Sequence, residues 1–145
     1  MSRVYLDTNV FVYAVGGHSP LREPARAVLD AVVRGRLRGE TSTHAIQEFA
    51  RQRLRREDPQ ATVHARQAVA ICSVVHPIDR DTLLATLSVV DRNPALDAAD
   101  AVHVAVAERQ GLAVLVSADS DFDGVAGIER VEPRDGDRLE ALANG

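Results

Sequence analysis

The chain has 145 residues, 46% hydrophobic and 26% charged, which is ordinary for one globular domain with a real core and too short for two. Its net charge of −4 argues against a protein that coats nucleic acid by bulk electrostatics, although divalent cations can reverse the sign of an acidic pocket locally. No apolar run approaches the length of a membrane span and no basic segment opens a signal peptide. We therefore expect a single domain over residues 1–145, in the cytoplasm and without membrane contact.

Apolar periodicity predicts short strands that alternate with longer helices. The predicted elements are, in chain order, a strand over 3–6, helices over 8–15 and 20–33, a polar link over 39–42, helices over about 43–56 and 59–73, a strand at 74–75, helices over 80–90 and 97–110, and strands over 113–117 and 128–131. Such alternation implies an α/β fold, in which a central parallel sheet is covered by helices on both faces.

Spacing also predicts which residues face the core. The helix over 43–56 is expected to bury Ala45, Ile46, Phe49 and Leu54, and the helix over 97–110 to bury Ala98, Val102, Ala105 and Val106. The lone Cys72 excludes an internal disulfide, and its apolar neighbours predict a small core residue.

Two acids stand where functional groups collect in parallel sheets, beyond the carboxyl ends of strands. Asp7 follows the first strand directly, and Asp119 follows the strand over 113–117. Helices supply two more acids: Glu48 lies next to the apolar face of its helix, and Asp100 lies in the first turn of another. Three of these acids have a simpler interpretation: Asp7 is a natural N-cap, Asp100 suits the helix dipole, and Glu48 is compatible with a solvated position. Asp97, at the start of the helix that carries Asp100, is also a natural N-cap.

Taken together, these four acids can converge at one edge of the sheet. Carboxylates within a few ångströms of one another repel unless a cation joins them. All-oxygen ligation suits Mg²⁺ or Mn²⁺ better than zinc, and such ions can bind a phosphodiester and lower the pKa of an attacking water. The pattern therefore predicts a metal site made of Asp7, Glu48, Asp100 and Asp119.

Other motifs are weaker. The run from Asp119 through Asp121 and Asp123 matches the first half of an EF-hand loop, but Arg130 stands where the bidentate Glu belongs, which excludes that interpretation. The histidines have no metal-binding spacing and are expected to be polar surface or supporting groups, although His44 and His103 lie within one turn of Glu48 and Asp100. Most arginines are expected on solvated helix faces. Arg51, three residues after Glu48, could reach a substrate phosphate.

These motifs, in this order, resemble the PIN-domain nucleases, and within them the VapC-like toxins of bacterial toxin–antitoxin pairs. Residues 4–10 look like the family's opening strand with its first metal-site acid, Asp7. Glu48 in residues 43–49 looks like the second acid, Asp100 in 97–103 is similar to the third, and Asp119 in 116–122 to the fourth. The resemblance covers essentially the whole chain.

The resemblance implies a three-layer α/β/α sandwich, dependence on Mg²⁺ or Mn²⁺, and hydrolysis of RNA by a metal-activated water. Thr8 and Ser117 match positions that often carry a hydroxyl close to the metals, and Asn9 matches a frequent supporting amide. Asp121 is a further supporting candidate, and the pattern leaves open whether Asp97, Asp121 or Asp123 joins the site. Family members usually pair with a small VapB-like antitoxin and often form homodimers.

Two other functions are compatible with parts of the pattern. Haloacid-dehalogenase-like phosphatases also begin with an Asp after a first strand, but they need a second Asp where Asn9 stands, and the chain has no Lys. A PIN-like module that binds partners without catalysis would keep the fold, yet it would not need all four acids. The pattern therefore favours the nuclease.

Overall fold

Five short parallel strands form the centre of the computed structural model, which describes residues 1–145. The strands are β1 (Arg3–Leu6), β2 (Arg38–Ser42), β3 (Val74–His76), β4 (Val114–Val116) and β5 (Glu129–Val131). The helices are α1 (Thr8–Val15), α2 (Arg22–Val33), α3 (Thr43–Arg55), α4 (Ala61–Ile71), α5 (Arg80–Arg92), α6 (Ala98–Arg109) and α7 (Gly136–Asn144). The sheet order is β3-β2-β1-β4-β5, so β1 and β4 lie side by side.

Successive residues of β1 point to opposite faces of the sheet, and two hydrophobic cores follow from this alternation. Val4 and Leu6 belong to the core that also receives α1 and α2. Tyr5 belongs to the core under α6, which packs in turn against α5. The predicted three-layer α/β/α sandwich is therefore confirmed. No helix is both long and apolar enough to cross a membrane.

The predicted polar link over 39–42 is wrong, because these residues belong to β2, between β1 and β3. Polar side chains are tolerated there because each has a partner. The buried Glu40 carboxylate accepts hydrogen bonds from Arg3 and contacts His76 Nε2 at 2.7 Å. Thr41 Oγ1 donates to the Leu6 carbonyl at 2.8 Å, and Ser42 Oγ caps α3 by accepting from the Ala45 amide.

The predicted inner faces are partly wrong. Ala45 and Phe49 are buried, but Leu54 is exposed, because it lies five residues and about 140° around the helix from Phe49. Ala98 is also exposed, since the packed part of α6 begins at Ala101. Cys72 lies half-buried at the edge of one core, where burial raises the pKa of its thiol to about 12.

Close packing at Gly39 yields a test of this fold. A Cβ atom added there would lie 2.8 Å from Val32 Cγ2 and 3.0 Å from Leu6 Cδ1, inside a buried sheet–helix contact. Gly39→Ala should therefore lower the free energy of unfolding by about 1–3 kcal/mol in chemical denaturation. Gly136→Ala is the matched control, because a Cβ there meets nothing within 4 Å, and it should cost nothing. Equal stability of the two variants would contradict the packing.

Candidate active site

The four predicted acids meet in one open cleft of about 540 Å³. Asp7 enters it directly after β1, and Asp119 follows β4, as expected for neighbouring parallel strands. Glu48 reaches it from α3, and Asp100 from the first turn of α6. The chain thus gathers acids that are up to 112 positions apart in sequence, Asp7 and Asp119, at one edge of the sheet.

Asp7 is the most firmly held of these acids. Its side chain is buried and caps α1, with Oδ1 accepting from the Thr8 amide at 2.7 Å. Oδ2 accepts from Ser117 Oγ at 2.6 Å and from Asn9 Nδ2 at 3.0 Å. The capping interpretation is therefore correct in geometry, but it accounts for only one of several contacts to this carboxylate.

Ser117 and Asn9 connect the ends of β1 and β4. Ser117 Oγ donates to Asp7 and accepts from Asn9 Nδ2 at 3.1 Å and from the Asp119 amide at 3.0 Å. Asn9 Oδ1 accepts from the Ala118 amide at 3.2 Å. These bonds fix Asp7 relative to the segment that carries Asp119.

His103 is a supporting group rather than a surface one, because the structure buries it completely behind Asp7. Its Nε2 lies 3.2 Å from Asp7 Oδ1, and its Nδ1 lies 2.7 Å from the Tyr5 hydroxyl. Burial lowers the pKa of His103, so the ring is neutral, with its hydrogen on the nitrogen that faces the carboxylate. Nδ1 then accepts from Tyr5, whose oxygen accepts from Ser42 Oγ at 2.8 Å. Only the position of His103 one turn after Asp100 hinted at this role.

Tyr5→Phe should destabilise the protein by about 1–3 kcal/mol, because it removes the only donor to the buried Nδ1 of His103. Chemical denaturation in EDTA measures this cost. Tyr13→Phe is the control, since its half-exposed hydroxyl makes no hydrogen bond within the protein, and it should change stability by less than about 0.5 kcal/mol. A Tyr5→Phe variant that unfolds together with the parent would contradict the hydrogen-bonded chain.

Glu48 projects from α3 toward Asp7. Its carboxylate accepts from Thr8 Oγ1 at 3.1 Å and contacts His44 one turn earlier on the same helix. Burial alone would raise the pKa of Glu48, but the hydrogen bond from His44 lowers it below its ordinary value. Glu48 is therefore ionised, and the contact with its carboxylate raises the pKa of His44.

Asp100 is the acid of the cleft whose pKa is raised. Desolvation and the negative charges of Asp97 and Asp119, followed by those of Asp7 and Glu48, raise its pKa to about 7. Carboxylate oxygens of Asp100, Asp119 and Asp121 lie within 4.8 Å of one another. Without a cation, Asp100 therefore keeps a proton until the pH reaches about 7.

The neighbouring acids divide into two groups. Asp97 caps α6 by accepting from the Asp100 amide at 2.8 Å, and Asp123 forms an ion pair with Arg130. Asp121 is exposed, its amide donates to Asp119 Oδ1, and its carboxylate belongs to the acidic cluster. A short 3-10 helix over Ser120–Phe122, which the sequence pattern did not predict, places Asp121 there.

The side chains fit a hard divalent cation. Carboxylates offer the oxygen ligands that such ions prefer, and desolvation together with the charges of the neighbouring acids raises the pKa of Asp100, so a bound cation would relieve this repulsion. Basic groups border the acids: Arg51 and Arg55 of α3 line the same cleft.

Comparison with known proteins agrees with this geometry. The model of the PIN domain family matches residues 4–128. Ribonuclease VapC7 of Mycobacterium tuberculosis is 37% identical over 132 residues, which cover 90% of this chain and 91% of that protein. Solved structures also share the fold. The Mycobacterium tuberculosis toxin VapC20, described as cleaving the sarcin–ricin loop, matches with a TM-score of 0.69 and 20% identity over 87% of this chain and 98% of that one. A toxin–antitoxin complex from Klebsiella pneumoniae matches with a TM-score of 0.66 and 21% identity over 90% of this chain and 97% of that one. The chain therefore belongs to the PIN-domain family.

Proposed function

We propose that this protein is an endoribonuclease that depends on a divalent metal and hydrolyses RNA phosphodiester bonds, as the toxin of a toxin–antitoxin pair. One observation carries the proposal: four carboxylates converge in a single open cleft, where desolvation and the charges of the neighbouring acids raise the pKa of Asp100 to about 7. The resemblance in sequence to a named ribonuclease over nine-tenths of the chain supports RNA as the substrate.

In this proposal Asp7, Glu48, Asp100 and Asp119 hold Mg²⁺ or Mn²⁺, with Asp121 at the edge of the cluster. The bound metal would polarise the phosphodiester and lower the pKa of the attacking water. Thr8, Asn9 and Ser117 act on the carboxylates: Thr8 donates to Glu48, and Asn9 and Ser117 orient Asp7. His103 and Tyr5 close the site from behind and keep water away from the buried oxygen of Asp7.

Arg51 and Arg55 are proposed to bind phosphates on either side of the bond that is cut, because they line the cleft beside the acids. Arg51→Ala should weaken RNA binding several-fold in EDTA and lower the salt dependence of binding by about one phosphate contact. Arg66→Ala, on the exposed face of α4 and outside the cleft, is the matched control and should bind like the parent. Equal binding by all three proteins would contradict this phosphate contact.

The proposal extends to partners and location. A small VapB-like antitoxin would inhibit the toxin, by analogy with the toxin–antitoxin complex that shares this fold. Two copies of the chain are proposed to form a homodimer. The proposed location is the reducing cytoplasm, with which an RNA substrate and a free, protonated Cys72 are compatible.

Incubating the purified chain with total cellular RNA in Mg²⁺, Mn²⁺ or EDTA, and mapping the new RNA ends, tests the function. Cleavage at defined sites that EDTA abolishes is the expected result. RNA binding without cleavage in either metal would instead identify a binding module, and hydrolysis of a phosphomonoester would identify a phosphatase.

A further inference from the structure

A second cavity, of about 300 Å³, adjoins the acidic cleft, and we call it the side pocket. Val12, Tyr13 and Gln52 line both cavities, so the side pocket begins where the cleft ends. No carboxylate lines the side pocket, whereas Arg53 and Arg56 do. Sites for small ligands typically have volumes of about 300–1,000 Å³. The side pocket therefore has the size and polarity to hold a part of the substrate that lies beside the reacting phosphate.

Helices α1 and α3, which contact each other, supply most residues that line this continuous groove. Gln52 lies four residues after Glu48, on the same face of α3. Tyr13 lies five residues after Thr8 on α1, and Thr8 donates to Glu48. Because one helical turn is about 5.4 Å long, the side pocket begins about one turn from the acids. A group joined to a phosphate in the cleft is therefore close enough to enter it.

The side-chain amide of Gln52 has an atom without a partner in the chain. Its Oε1 is buried and accepts no hydrogen bond. Buried acceptors are nearly always paired, and an unpaired one costs free energy because it has lost its contact with water without replacement. Gln52 lies at the junction of the two cavities, so a ligand in the side pocket that carries an N–H group can supply the missing donor.

Tyr13 carries the one phenyl or phenol ring that a ligand can reach. The chain has two tyrosines, three phenylalanines and no tryptophan. The other four rings, those of Tyr5, Phe11, Phe49 and Phe122, are buried. Tyr13 is half-buried, because it packs against a hydrophobic core and also lines both cavities. A supported aromatic ring of this kind is a typical stacking platform for an unpaired RNA base.

The charges of the side pocket suit an uncharged base better than a second phosphate. Arg53 forms an ion pair with Asp58, in which Nε and Oδ2 are 2.8 Å apart, and both side chains are largely buried. Asp58 therefore neutralises Arg53. Arg56 is exposed, so its positive charge lies at the rim of the pocket and not inside it.

We propose that the side pocket binds one unpaired base of the RNA, next to the phosphate in the acidic cleft. The base stacks on Tyr13, and an N–H group on its edge donates to Gln52 Oε1. The proposal rests on the proposed nuclease function and adds a contact with a base to a site whose other contacts are with phosphates and metal. A base held in this way is not paired with another base, so the RNA is single-stranded at that position.

Tyr13→Ala tests the stacking contact. In EDTA it should weaken binding of a short adenosine oligonucleotide about tenfold, measured by fluorescence anisotropy. Binding of an oligomer of the same length that has the sugars and phosphates but no bases should not change. Tyr13→Phe keeps the ring and is the matched control, and it should bind both oligomers like the parent.

Gln52→Leu tests the hydrogen bond. Leu carries no polar atom, so without RNA the melting temperature should equal or exceed that of the parent. In Mg²⁺ the parent should cut random-sequence RNA with a base preference at one position beside the cut, and Gln52→Leu should lower this preference several-fold. Gln47→Leu, at an exposed position of α3 outside both cavities, should keep the preference. A merely structural Gln52 would instead lower the melting temperature and leave the preference intact.

The outcomes separate the side pocket from the proposed function. Equal binding of the oligomers with and without bases by the parent would overturn the base contact. So would cleavage by Tyr13→Ala and Gln52→Leu at the parent's rate and with the parent's base preference, and in that case the nuclease function stands. Base-dependent binding that requires Tyr13, in a chain that never cuts RNA, would support the side pocket and refute the proposed function.

Discussion

Asp7→Asn is expected to lower the rate of metal-dependent RNA cleavage at least about 100-fold, because it removes the charge of a proposed metal ligand whose two oxygens are held by three hydrogen bonds. The amide can still cap α1 through its oxygen, so the fold should survive. Cleavage of a fixed RNA in saturating Mg²⁺ measures the rate, and circular dichroism checks the fold.

Asp137→Asn is the control for this loss. Asp137 is exposed on α7 and lies outside the cleft, so the same chemical change there should leave cleavage unchanged. If a folded Asp7→Asn variant cleaved RNA as fast as the parent, Asp7 would be an N-cap only. The proposed metal site would then lack one of its four carboxylate ligands.

Asp100→Asn is expected to have opposite effects on stability and on metal response. In EDTA at pH 8 the variant should be more stable than the parent by about 1–2 kcal/mol, because it removes a charge from a repelling cluster; the half-buried position screens part of the full repulsion. The melting temperature of the parent should rise on addition of Mg²⁺, and that of the variant should rise much less.

The pH dependence follows from the same raised pKa. The unfolded chain releases the Asp100 proton near its ordinary pKa of 3.8, whereas the folded chain keeps it until about pH 7. Between these values the folded state binds more protons, so in EDTA this residue makes the parent less stable as the pH rises toward 7, and constant above it. Asp100→Asn should flatten that part of the curve.

A capping residue far from the site supplies the contrast. Asp79 caps α5 through Thr82, and Asp79→Ala should destabilise the protein equally in EDTA and in Mg²⁺. Asp100→Asn could instead behave like Asp79→Ala, with the same loss of stability in both buffers. That result would contradict the repulsion between Asp100 and its neighbouring carboxylates.

The sequence predicts that Asp7 and Asp119 lie close together because parallel strands impose their own geometry. Once Asp7 and Asp119 are recognised as following strands, the carboxyl edge of the sheet brings them together. The same reasoning fails for β2, because Glu40 and Thr41 look like a turn until Arg3, His76 and the Leu6 carbonyl are known to pair with them. Local pattern cannot identify partners that are distant in sequence.

The burial of His103 is missed for a related reason. A histidine on a helix is usually polar surface, and the one local signal against this is the apolar run over 101–107 around it, which fits a helix buried on most sides between the sheet and α5. Its burial depends on Tyr5, 98 positions earlier, which supplies the hydrogen bond that makes a buried imidazole tolerable. The helix over Gly136–Asn144 is also missed, since its apolar face is short and its docking depends on α2.

Anomalous scattering from crystals of the full chain soaked in Mn²⁺ tests the central claim most directly. We expect a peak in the cleft, bound at roughly 2.0–2.3 Å by carboxylate oxygens from the four acids Asp7, Glu48, Asp100 and Asp119. A strong peak elsewhere, or none in the cleft of a protein that cleaves RNA in the same Mn²⁺ concentration, would contradict the assignment of these acids as metal ligands.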